Sequence, residues 1–168
     1  MQLTPQQSQV LDQMITFTNN QDSKVFILKG YAGTGKTTLI GEYISKLRDT
    51  KFKTTLLATT GRAAKVLANK TRKSAGTVHS AIYTFDKVEG VDSESNDPWA
   101  STTGQLFLDF GLKIPIEKDE NLIYIIDEAS MISHEITESS NNSTARFGTG
   151  SLLDDLMAFI GENKIIFT

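Results

Sequence analysis

Apolar residues along this chain fall into two arrangements: short unbroken runs, and longer stretches where they return every three or four positions. The runs are VFIL (25–28), TTLLAT (54–59), LIYIID (122–127) and KIIFT (164–168), which read as four strands. The helical stripes lie between them. Val10, Leu11, Met14 and Ile15 form the first, behind a start signal in which Thr4 is the N-cap, Pro5 the first helical residue and Gln7 the capping-box partner. Leu39, Ile40, Tyr43, Ile44 and Leu47 form the second. GRAAKVLANK opens another helix, TVHSAIY a short one capped by Thr77, and Ser151 caps a last helix running to Ile160. Residues 86–104 and 138–150 are polar, poor in aliphatics, and read as loops. Strands that are apolar throughout and alternate with helices predict an α/β fold, a parallel sheet covered on both faces. No internal repeat is visible, and the abrupt stop after KIIFT reads as a truncated domain.

Composition narrows the chemistry. The chain has no cysteine, which excludes disulfides and thiolate metal sites, and its two histidines, His79 and His134, do not suggest zinc. No apolar run reaches membrane-spanning length and the polar N-terminus carries no signal region, so a cytoplasmic location away from membranes is expected. The net charge of −3 is unevenly spread. From Lys51 to Phe85 there are seven basic residues (Lys51, Lys53, Arg62, Lys65, Lys70, Arg72, Lys73) and no acid. Such a stretch suits a surface that follows phosphates, or equally a solvated helix face.

The sharpest signal follows the first strand. Gly30-Tyr31-Ala32-Gly33-Thr34-Gly35-Lys36-Thr37 matches G-x-x-x-x-G-K-[ST] in full, with a strand before it and an amphipathic helix after it. Glycines let backbone N–H groups converge on phosphate oxygens, and the following helix turns its positive end to the same anion. Gly30, Ala32, Gly33, Thr34, Gly35, Lys36, Thr37 and Thr38 are therefore the expected contacts to ATP. Lys36 is expected to reach the β- and γ-phosphates, and the Thr37 hydroxyl to ligate Mg²⁺. A second element stands at Asp127-Glu128, where LIYII ends. Carboxylates there sit at the sheet edge where ligands bind. Asp127 is expected to hold Mg²⁺ through water and Glu128 to polarise the attacking water, unless the strand simply ends in solvated acids.

LTPQQSQVL, GYAGTGKTT, ATTGRAAKVL, TVHS and IIDEASMI, in this order, resemble the first RecA-like domain of superfamily 1 DNA helicases, nearest the RecD-like, 5′-to-3′ group. The resemblance implies a P-loop NTPase, a truncated RecA-like three-layer sandwich over residues 1–168, with single-stranded DNA as partner through the full-length protein; the sequence does not fix the oligomeric state, a monomer being the expectation. It implies that Gln7 reads the adenine edge, alongside its capping role. It also implies that Thr60, Gly61 and Arg62 touch the DNA backbone, although Thr59 stands where that motif usually has proline and the residues also suit a helix cap. Thr77 and His79 resemble another DNA-side element, or serve as cap and core. Ser130 is implied to couple the nucleotide and DNA sites, and Trp99 and Phe107 are candidates to stack on bases. Such helicases continue with a Gly-Asp-…-Gln-Leu-Pro-Pro segment and a second RecA-like domain carrying arginine fingers, neither of which occurs in these 168 residues. Arginine fingers contribute ~10³ to 10⁵ in rate, so weak turnover is expected from this portion alone. The alternative function is a regulatory or switch ATPase that never unwinds DNA.

Overall fold

The computed structural model describes residues 3–90, 106–114, 118–134 and 145–168. Thr4 opens α1 (Pro5–Asn19) with both halves of the capping box in place. After it come β1 (Val25–Ile27), α2 (Lys36–Leu47), β2 (Lys53–Ala58), α3 (Gly61–Thr71), β3 (Ala75–Thr77) and α4 (Val78–Ile82). The rest are β4 (Tyr83–Gly90), β5 (Leu106–Leu112), β6 (Leu122–Asp127), a 3-10 turn at Ala129–Met131, β7 (Ala145–Phe147), α5 (Leu152–Ile160) and β8 (Lys164–Phe167). The principal sheet is five-stranded and wholly parallel, in the order β1-β8-β6-β2-β3. This is an α/β P-loop NTPase arrangement, with helices on both faces.

The period of two along β6 divides the core. Ile123 and Ile125 face Leu11 and Met14 of α1, Leu39, Ile40 and Tyr43 of α2 and Leu67 of α3. Tyr124 and Ile126 face Val78 and Ile82 of α4 and Leu156, Phe159 and Ile160 of α5. All four β6 residues are fully or almost fully buried, which explains a run without polar interruption. Lys164 ties β8 to α1: its ammonium donates to the carbonyls of Phe17 and Ser23 (3.1 and 2.8 Å), cationic charge at a helix C-terminus.

Three expectations need correction. VFIL is not a buried strand: β1 is the sheet edge, with Val25 44% and Ile27 59% exposed. Residues 86–90 are not loop, because they continue β4, which pairs antiparallel with β5. Residues 145–147 form β7, parallel to β5, completing a second, three-stranded sheet. The remainder of both polar segments, 91–104 and 138–144, lies outside the described residues, as do Trp99 and the side chain of Phe107.

The second sheet docks on the α4–α5 face through aromatic rings. Phe147 stacks on Phe110 at 4.8 Å and meets Tyr83 at 5.3 Å. Half-buried His79 joins this cluster, edge-on to Phe147 at 5.3 Å, and Thr77 is the cap of α4. Burial holds the His79 imidazole below its ordinary value of 6.5. The unfolded chain then takes up the proton more readily than the folded one. The stability that neutral His79 contributes is complete above about pH 6.5 and is lost as pH falls through the lowered folded value. His79→Gln is expected to narrow the drop in thermal midpoint between about pH 7.5 and pH 5, measured by circular dichroism.

Candidate active site

The turn from β1 into α2 is shaped by two glycines in the left-handed region, Gly33 at φ +80° and Gly35 at φ +85°. Side chains resist that conformation, so the motif needs glycine at both places. Gly30 is small for another reason: a Cβ there would lie 2.9 Å from Thr34 Oγ1. The Thr34 hydroxyl donates to the Tyr31 carbonyl at 2.8 Å and closes the loop. Gly35 caps α2 without a side-chain bond, so the first-turn N–H groups of the helix stay open to an anion. Lys36 Nζ donates to the carbonyls of Gly30 at 2.7 Å and Tyr31 at 3.4 Å. These acceptors are neutral, and a phosphate oxygen outcompetes them because it adds the Coulomb attraction of a full negative charge to the hydrogen bond.

Gln7 braces this loop from α1. Its Oε1 accepts from Thr4 N (2.9 Å) and its Nε2 donates to the Thr34 carbonyl (3.1 Å), leaving one N–H and one lone pair for a further partner. Gln7→Ala removes half the capping box and the only described side-chain bond from α1 to the loop. It is expected to cost about 1 kcal/mol, a lowering of the thermal midpoint by about 2–4 °C in calorimetry.

A cleft of about 1200 Å³ opens above the loop. Gly30, Ala32, Gly33, Gly35, Lys36, Thr37 and Thr38 form its floor, and Asp127, Glu128, Ala129 and Ser130 one wall. The loop glycines and the paired acids, far apart in the chain, thus share one cavity. Register explains why. β8 is inserted between β1 and β6, so the carboxyl ends of all three strands finish at the same edge of the sheet. Asp127 is nearly buried, at 7% exposure. Its Oδ1 accepts from Thr168 Oγ1 at 2.8 Å and from Glu128 N at 3.1 Å, while no described group bonds Oδ2. Glu128 takes φ +56°, a left-handed value costly for a residue with a Cβ, and its side chain is exposed to the cleft.

These donors can be tested against magnesium. Among the described residues no three His, Cys, Asp or Glu side chains cluster into a cage. A hydroxyl at Thr37 and a carboxylate with one free oxygen at Asp127 are hard ligands, and magnesium bound with a polyphosphate asks for just one or two such groups. They fit. Thr168, which fixes the Asp127 carboxylate, was not evident from the sequence, since its contact depends on β8 lying beside β6.

α3 and its cap also line the cleft, through Thr60, Arg62, Ala63, Val66 and Lys70. The Thr60 hydroxyl caps the helix, accepting from Ala63 N at 3.1 Å, and Gly61 begins it. Thr59, in the place of the expected proline, bonds Met131 Sδ at 3.6 Å and so links the ends of β2 and β6. His134 lies away from the cleft floor, 3.4 Å from Asp154 at the start of α5. No helix among the described residues is long and apolar enough to cross a membrane.

Against known proteins, a search of the curated ones finds no match. The family model of the AAA domain matches residues 2–146, most of the chain, including both the glycine loop and the acids. The chain therefore belongs to the AAA domain family and is a P-loop ATPase domain, of the kind that binds ATP with Mg²⁺.

Proposed function

We propose that this domain hydrolyses ATP to drive movement along single-stranded DNA, as the first RecA-like domain of a superfamily 1 helicase of the RecD-like group. One observation carries the hydrolytic part: the glycine loop, Thr37 and the Asp127–Glu128 pair face one cleft. Backbone N–H groups of residues 30–38 would hold the triphosphate, and Lys36 its β- and γ-oxygens. Thr37 and Asp127 would hold the magnesium ion, whose contribution is to neutralise charge on the β- and γ-phosphates as the bond between them breaks. Glu128, unconstrained by an ion pair among the described residues, would orient and polarise the attacking water.

The DNA part rests on α3. Its exposed basic residues belong to the acid-free stretch of residues 51–85 and begin at the Thr60-Gly61-Arg62 turn, beside the cleft. A strand lying across that turn would feel the nucleotide site directly, which is what translocation requires. The test is ATP hydrolysis by the protein carrying this domain, with and without single-stranded DNA. Stimulation by DNA that vanishes in Glu128→Gln supports the reading. Hydrolysis indifferent to DNA supports a switch ATPase instead.

A further inference from the structure

Arg62, Val66 and Lys70 are spaced four residues apart on α3, so they lie along one face spanning ~12 Å at 1.5 Å per residue. That face lines the nucleotide cleft, while Ala64 and Leu67 hold the helix to the core. Both cations are exposed, and no described hydrogen bond or ion pair engages either. With Lys29 and Lys36, four basic side chains line the cleft against two acids, Asp127 and Glu128. Neither acid is paired with a cation among the described residues. The excess positive charge has no internal partner, so the cavity favours an anion on the α3 side as well as at its floor.

The register gives this wall a direction. Asp127 at the end of β6 pairs with Ala58 at the end of β2, and only Thr59 and Thr60 separate Ala58 from α3. The first turn of α3 therefore starts beside the carboxylate that fits magnesium, at the terminal-phosphate end of the site. The last turn ends over α2, where the Lys70 carbonyl approaches Gly41 and the cleft is lined by Thr38. We infer that Arg62 contacts the terminal phosphate of the nucleotide from within the same chain, and that Lys70 serves the phosphates nearer the sugar. Arg62 then distinguishes triphosphate from diphosphate. The planar guanidinium, a five-donor fork matched to phosphate oxygens, suits that role. This gives Arg62 a nucleotide-side task besides the DNA-side one, and it rests on the P-loop reading of the cleft.

The experiment is calorimetric titration of wild type, Arg62→Ala, Arg62→Lys, Lys70→Ala and Lys36→Ala with ATP and ADP in magnesium. Arg62→Ala is expected to weaken ATP about tenfold with ADP unchanged, the size of one charge-assisted contact. Arg62→Lys should recover part of that loss, and Lys70→Ala should weaken both nucleotides alike. Equal ATP affinity in wild type and Arg62→Ala, or equal loss of ATP and ADP in Arg62→Ala, overturns the assignment. A wild-type chain that binds neither nucleotide, or binds as well with Lys36→Ala, overturns the P-loop reading beneath it.

Discussion

Alanine at position 36 is expected to lower ATP affinity about 100-fold, two or more charge-assisted bonds being worth about 3 kcal/mol. The reason lies in the direction of the side chain. Its ammonium already reaches the carbonyls of Gly30 and Tyr31, directly over the turn that Gly33 and Gly35 shape for phosphate. Alanine leaves that turn intact, because Lys36 follows the left-handed glycines and occupies ordinary helical backbone at the start of α2. Folding should be untouched, and an unchanged circular dichroism melt separates lost binding from lost structure. Isothermal calorimetry reads the affinity. A variant that binds ATP as tightly as wild type removes Lys36 from the site.

Asp155→Ala is expected to be the most damaging single change to stability, at about 3–5 kcal/mol. Asp155 is 1% exposed, yet it carries a carboxylate. That carboxylate accepts from Tyr83 OH at 2.6 Å, from Thr149 N at 3.0 Å and from Thr149 Oγ1 at 2.9 Å. One residue of α5 thereby fastens β4 and the segment after β7, the two ends of the small sheet. Burial and this bond together push the Tyr83 hydroxyl far above its ordinary value, so it stays a donor throughout the accessible range. Truncation strands three donors, and the thermal midpoint should fall by on the order of 10 °C. Gly148→Ala attacks the same point from outside. Its Cβ would overlap the Asp155 carboxylate and approach Tyr83 Cε1 to 2.8 Å, at a backbone φ of +44°. If both variants melt with wild type, the network is not what holds the second sheet.

The main sheet was legible because its strands are buried on both faces, and burial writes itself as uninterrupted apolar sequence. β6 and β8 are the clear cases. β1 read the same way although it is an edge strand: Phe26 packs against the core, while Val25 and Ile27, on the other face, are exposed. β3 is three small residues, Ala75–Thr77, recruited by β2 rather than by any apolar pattern of its own. The second sheet escaped because its pairings are long-range. Thr84–Val88 are exposed, and two consecutive polar residues, Asp86 and Lys87, break any alternation where the register shifts, so only partner β5 makes them a strand. The glycine loop and the acids could be found by motif. The bond from Thr168 to Asp127 and the placing of Arg62 in the lining of the same cleft follow from strand order, which no local pattern states.

In the proposed function the Gly30–Thr37 turn and the Asp127–Glu128 wall enclose one magnesium-bound triphosphate. Backbone amide resonances, followed during titration with magnesium and a non-hydrolysable ATP analogue, report on it residue by residue. The largest shifts should come from Gly33, Gly35, Lys36 and Thr37, together with Glu128 and Ala129 across the cleft, and the first turn of α3. Shifts confined to residues around Lys24, Lys51 and Asn163, at the other pole of the sheet, would contradict it, as would a glycine loop that does not respond.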